Sequence, residues 1–206
     1  MDRILKWQTL VGSILGGVFA LATALIVARS ARRRDEQASG MIVSATLAAV
    51  RVVSETLAAL SSQEGVTEEN FPLWFAEKVA HSHPSMPVLF DASAARLMSV
   101  DVSLAVHLSL FQQTYSQTES VLKRVADDYT YYHMHGKAFR PQDLMKSDCR
   151  IVAKHFQFAA EHANCAVYLI SELVLSRLAF WHRLRRHIWH NKKEKECMKL
   201  LRKGTS

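Results

Sequence analysis

From Leu10 to Ala28 the chain runs nineteen residues without a charge, and Ser13 and Thr23 are the only polar side chains in it. As a helix this stretch is roughly 28 Å long, close to the ~30 Å thickness of a hydrocarbon core. A cleavable signal has a shorter apolar region, and a buried core helix would not need the flank that follows. That flank is Arg29, Arg32, Arg33 and Arg34, four cations in six residues, which reads as a stop-transfer sequence. Trp7 stands just before the run, where an aromatic belt would place it. The segment is therefore expected to be a transmembrane helix. Gly12 and Gly16 form a small-xxx-small pair on it, a spacing that lets two such helices approach closely.

Orientation follows from the charges on either side. Arg3 and Lys6 precede the span, and the four arginines follow it. The richer side is expected to be cytoplasmic, with the N-terminus outside and residues 29–206 inside. Three cysteines, Cys149, Cys165 and Cys197, show no paired spacing. They read as free thiols in a reducing compartment.

Beyond the arginines the pattern is helical throughout. Seven glycines and four prolines in 206 residues suit long helices better than a sheet. The stretch with Ile42, Leu47, Val50, Val53, Leu57 and Leu60 continues the first helix as a stalk to about Ser62. Gly65 marks a turn, Thr67 with Glu69 and Asn70 opens a short helix, and Pro84 and Pro87 end it. From Leu97 an apolar or aromatic stripe recurs at steps of three and four through Val100, Leu104, Leu108, Phe111, Tyr115, Thr118, Leu122, Val125, Tyr129 and Tyr132. This is a near-heptad, coiled-coil-like seam. Asp91 or Ser93 is expected to cap its helix, and Gly136 to end it. From Gln142 to Lys193 there is neither glycine nor proline, so a single long helix is expected from about Pro141 to about Asn191. The remainder, 192–206, reads as a basic tail. The fold expected is all-α: an N-terminal transmembrane helix continuing into a long-helix antiparallel cytoplasmic bundle.

The charge is uneven. Residues 177–206 hold ten Lys/Arg against two acids, whereas residues 35–176 hold ten against sixteen. Within the basic end, Phe180, Leu184 and Ile188 share one helical face, Trp181 and Trp189 flank it, and Arg183, Arg185 and Arg186 cover the rest. This pattern fits an interfacial helix on an anionic membrane surface. Two other readings compete with it: the apolar side chains finish the bundle core beside a solvated tail, or the segment binds nucleic acid. No nucleic-acid-binding motif accompanies the segment.

Ten histidines raise the question of metal. His155, His162 and Cys165 lie toward one side of the last long helix. With His107 they offer a donor set that zinc accepts, although only His162 and Cys165 have close helical spacing. His81 with His83 and His133 with His135 sit at helix ends. The run Asp127, Asp128, Tyr129, Tyr131, Tyr132, His133 could in principle do acid–base work. The plainer reading places the tyrosines on the seam and the acids in water. No phosphate loop, dinucleotide fingerprint, zinc-protease motif or nucleophile elbow occurs. No catalytic residue and no cofactor is nominated, and the chain is not expected to be an enzyme.

The entry Trp7-Gln8-Thr9-Leu10 resembles that of a set of uncharacterised bacterial single-pass membrane proteins, in which W-Q-T-[LI] leads into the membrane helix. The resemblance implies topology and a helical part behind it, and no activity. The function expected is that of a membrane-anchored helical interaction or scaffold protein at the bacterial inner membrane. Its expected partners are the lipid bilayer, a second copy of the chain and a further protein. The alternative is an accessory subunit of a membrane system that binds a small ligand or metal in its bundle.

Overall fold

The computed structural model describes residues 2–61, 67, 69–82, 86–138 and 140–204. Side-chain environments are described from Leu15 onward, apart from Leu60, Ser61, Ser82, His187, Lys203 and Gly204. The described chain is helical: α1 (Asp2–Ser61), α2 (Phe71–Ser82), α3 (Phe90–Met98), α4 (Val102–His135), α5 (Gln142–Ile170), α6 (Ala179–Ile188) and α7 (Lys192–Gly204). It divides into two compact units, Met1–Ala38 and Ser39–Ser206. The all-α expectation holds. The turn expected at Gly65, the proline Pro84, the histidine His83 and the side chain of Trp7 lie outside the described residues.

In the N-terminal unit α1 is long and apolar enough to cross a membrane. Leu15, Val18, Phe19, Leu21, Leu25, Ile26 and Val27 are 52–71% exposed, and nothing within the unit covers them. The polar Thr23 donates its hydroxyl to the Phe19 carbonyl at 2.8 Å, which satisfies it inside the helix as an apolar surrounding requires. A Cβ on Gly16 or Gly17 would meet nothing within 4 Å among the described residues. Arg29, Arg32, Arg33 and Arg34 are exposed, and Arg32 pairs with Glu36 one turn on.

In the second unit the remainder of α1 is part of the bundle core, with Val43, Leu47, Val50 and Leu57 buried. It packs tightly at Gly40, where an added Cβ would lie 3.1–3.3 Å from Val174, Ile170 and Leu175. Only hydrogen fits there without displacement. The entry to α2 is a reciprocal cap. Thr67 donates its N–H to Asn70 Oδ1 at 2.7 Å, and Asn70 returns its N–H to Thr67 Oγ1 at 3.3 Å.

The seam from Leu97 to Tyr132 is placed as its spacing demands. Leu97, Leu104, Leu108, Phe111, Tyr115, Thr118, Leu122 and Val125 are buried, while Tyr129 is half-buried and Tyr132 exposed. The helix carrying it is broken near its start, however. α3 stops at Met98, and Asp101, in extended conformation, caps α4 by accepting the Leu104 N–H at 3.1 Å. Asp91 instead accepts from Gln112, and Ser93 is buried without capping. Asp101 is the better cap because its backbone is extended, as an N-cap requires. At the far end Gly136 adopts φ +66° and closes α4 through its N–H to Tyr132, as a glycine C-cap does.

α4 and α5 run antiparallel, shown by the pairs His107–His162, Thr118–His155 and Asp128–Asp148 across the seam. Their connection is held by Arg140, whose guanidinium bonds Asp128 through Nε at 3.0 and 3.1 Å and through a close Nη2 contact, and Asp148 at 3.0 Å. Asp128 is therefore buried in a clamp and does not face water, a correction to the sequence expectation. The Asp128 bond does most to raise the Arg140 pKa above its ordinary value.

The largest departure lies after Ile170. The single helix expected to Asn191 ends in one π turn, Ser171–Leu175, and the chain bends by 119° into α6. There is no proline or glycine at the bend. Ser176 turns extended, gives its N–H to the Ser171 carbonyl at 2.9 Å and accepts the Leu178 N–H on its hydroxyl at 3.1 Å. Arg183 then reaches back from α6 and donates to the Leu173 carbonyl at 3.1 and 2.9 Å. At the bend the Ser171 carbonyl is met by a backbone N–H and the Leu173 carbonyl by the Arg183 side chain. The expected basic tail is also structured: Asn191 and Glu194 form a reciprocal cap, at 2.7 and 2.9 Å, that starts α7.

Candidate functional site

The first candidate is the outer face of α6. Phe180, Trp181, Leu184 and Ile188, with Trp189 in the extended residue after the helix, are exposed by 62, 63, 45, 75 and 78%. They do not finish the bundle core, and that reading is overturned. The arginines of the same helix are turned the other way. Arg183 bonds Leu173, and Arg185 lies 3.9 Å from Glu172 and 3.7 Å from Glu194. Arg186 is 3.0 Å from Asp101 and 3.6 Å from Glu194, while His182 contacts Glu172 at 2.7 Å. The face therefore presents aromatic and aliphatic groups, and much of its expected positive charge is spent on internal carboxylates. Sequence spacing placed Arg183, Arg185 and Arg186 away from the apolar stripe. It gave no sign that Asp101, Glu172 and Glu194 would gather beside them.

The second candidate lies behind that helix, where α4, α5 and α7 meet. His107 and His162 are fully buried, and their Nδ1 atoms are 2.9 Å apart. Neither Nε2 has a hydrogen-bond partner among the described residues. Burial holds both imidazoles neutral and lowers each pKa to about 4. For His107 the charges of His162 and Arg186 add to the lowering and Asp101 opposes it. Cys165, one turn beyond His162, is joined in a disulfide to Cys197 of α7. A ring nitrogen of His107 and the two sulfurs all lie within 4.8 Å of one another.

Of the four residues nominated for metal, the structure thus brings together His107, His162 and Cys165. His155 is not among them: its ring lies at 2.9 Å from Thr118 Oγ1, farther along the seam. The residue that spacing missed is Cys197, 32 positions from Cys165 and carried back by a helix read as a tail. The expectation of three free thiols is likewise corrected. Only Cys149 is free, buried and pointing its thiol at the Pro72 carbonyl. Elsewhere, His135 stacks on Tyr131 at 4.2 Å and His133 lies beside Tyr129, so these two histidines do not converge.

An apolar groove of about 250 Å³ runs between α1, α2 and α5, past Leu57, Phe71, Phe75 and Phe156. Ser54, Lys154 and Gln157 are the polar residues in its lining. No family model, curated protein or solved structure matches the chain, so function has to be read from the chain's own geometry.

Proposed function

We propose that the protein is a membrane-anchored helical interaction protein that touches the bilayer twice, through the apolar part of α1 and through the outer face of α6. The observation that carries this reading is the exposure of Phe180, Trp181, Leu184 and Ile188 on α6 and of Trp189 directly after it. Contiguous apolar exposure of this kind marks an interaction surface. A chain with a helix able to span a membrane holds its other elements at high effective concentration near lipid, so lipid is the occupant to which the proposal commits. Two tryptophans at the edge of the face fit the interfacial layer. In this reading the bundle lies on the cytoplasmic side of a bacterial inner membrane. The four arginines after the span outweigh the two cations before it, and the W-Q-T-L entry agrees with a single pass. Association with a second copy through Gly12 and Gly16 and with a protein partner belongs to the same proposal.

The test is fluorescence quenching in proteoliposomes. A variant with Trp7→Phe and Trp74→Phe retains Trp181 and Trp189 as its only tryptophans. Brominated acyl chains should quench their emission in the full-length protein. Emission that is the same in brominated and plain lipid would defeat the proposal.

A further inference from the structure

We propose that His107, Cys165 and Cys197 form a binding site for a thiophilic divalent cation of the zinc class, filled when the disulfide is reduced, with His162 positioning His107 from behind. This goes beyond the membrane reading and concerns a different face of the bundle.

The histidine pair supplies the first argument. A neutral imidazole carries one N–H and one lone pair. With the Nδ1 atoms 2.9 Å apart, one ring donates there and the other accepts. The donating ring is left with a bare Nε2, and the accepting ring with an Nε2–H. Both Nε2 atoms are buried and unpartnered among the described residues, and an unmet polar atom in a buried site costs on the order of 1–3 kcal/mol. If His107 is the donor, its bare Nε2 becomes a ligand and His162 fixes the tautomer. That is the arrangement by which metal-bound histidines are oriented.

The donor set supplies the second argument. Two sulfurs and one imidazole nitrogen within 4.8 Å are the ligand types that select zinc over calcium or magnesium. Two thiolates neutralise a divalent cation, so the loaded site carries no net charge into a buried place. Three protein ligands leave one position of a tetrahedron open.

The chemistry balances in two steps. A dithiol reductant opens the Cys165–Cys197 bond, giving two protein thiols and the oxidised reductant as its own disulfide. The cation then binds both sulfurs and displaces two protons. Either state ties α7 to α5, first by a covalent bond and then by a metal bridge. On the reducing side of the membrane proposed above, the metal state is the one expected to fill. The binding chemistry itself does not depend on that topology.

The experiment uses the full-length protein in detergent, reduced with dithiothreitol and freed of it without oxygen. Cobalt(II) is titrated as the probe. One cobalt per chain should bind with thiolate-to-metal charge-transfer and tetrahedral ligand-field bands, and zinc should displace it. Cys165→Ser and Cys197→Ser should abolish the charge-transfer bands or halve them. His107→Gln should weaken binding at least tenfold. His162→Ala should keep the stoichiometry and weaken binding about 10- to 100-fold, as loss of a supporting partner does. Circular dichroism runs in parallel. If reduction lowers helicity, zinc should restore it. Reduced protein that binds no cobalt and regains no helicity with zinc overturns the proposal, and so does equal binding by the double serine variant. Because the test is made in detergent, its failure leaves the membrane reading untouched, and a failed lipid-quenching test leaves the metal site untouched.

Discussion

Two arginine clusters in this chain look alike in composition and behave differently. Arg29, Arg32, Arg33 and Arg34 stand exposed on α1. Arg183 and Arg186 face inward from α6, Arg186 being only 10% exposed, and the more exposed Arg185 lies near two carboxylates. The difference lies in what is near. The first cluster has Glu36 one turn away. The second meets Glu172, Glu194, Asp101 and the Leu173 carbonyl, brought from three other elements. Arginine count alone therefore does not tell whether a basic stretch serves a surface or a fold.

The largest effect that would separate the clusters is on stability. Arg186→Ala leaves the buried Glu194 and the capping Asp101 short of their cation. It should cost roughly 2–4 kcal/mol in denaturant unfolding of the detergent-solubilised protein. Arg34→Ala, on the exposed cluster, should change stability by less than about 0.5 kcal/mol. Equal effects would erase the distinction.

Membrane contact comes next. Burying a large apolar side chain is worth about 1.5–3 kcal/mol. Phe180→Ala should therefore shift Trp181 and Trp189 toward water, read as weaker quenching by brominated lipid. Because the α6 arginines are engaged internally, that quenching should change little between anionic and neutral lipids or as salt is raised. A steep salt dependence would show that charge and not apolar area holds the helix down.

The core itself titrates separately from either cluster. Burial raises the Cys149 thiol from 9.0 and the Tyr115 phenol from 10.0 to about 12 each, with Asp148 and Glu119 adding to the respective shifts. Both groups ionise more readily in the unfolded chain, so their contribution is intact below pH 9. It declines as pH rises toward 12, and the loss from the two groups together is about 2 kcal/mol at pH 10. Arginines keep their charge in that range, so neither arginine cluster contributes to an alkaline loss of stability. Cys149→Ala should remove most of it at pH 10. The smallest effect is chemical: native oxidised protein should show no rapidly alkylated thiol, since the one free cysteine is buried and its thiolate disfavoured.

Legibility in the sequence followed the range of the interactions involved. The stripe from Leu97 to Val125 could be read because burial along one helix repeats with the helical period. Gly136 could be read as a helix end because only a left-handed residue satisfies the last carbonyls there. The break at Ser176 could not, because no residue at that point forbids a helix. It forms because Arg183 and Ser176 offer the backbone other partners. The clamp of Arg140 on Asp128 and Asp148 joins positions on both sides of a loop, and no local pattern announces it. The metal candidates were half visible. His162 and Cys165 are one helical turn apart, but Cys197 enters only through the return of α7.

What the sequence determined by itself is what depends on neighbours along the chain: an apolar helix of membrane length with arginines behind it, the all-α class, and the seam that pairs α4 with α5. Tertiary structure decided which way each polar group faces. It turned Arg183 and Arg186 inward, left the aromatics outside, and set the buried His107–His162 pair beside Cys165 and Cys197. The physical reason is that helical periodicity fixes which residues share a face, whereas the partner for that face comes from segments far along the chain.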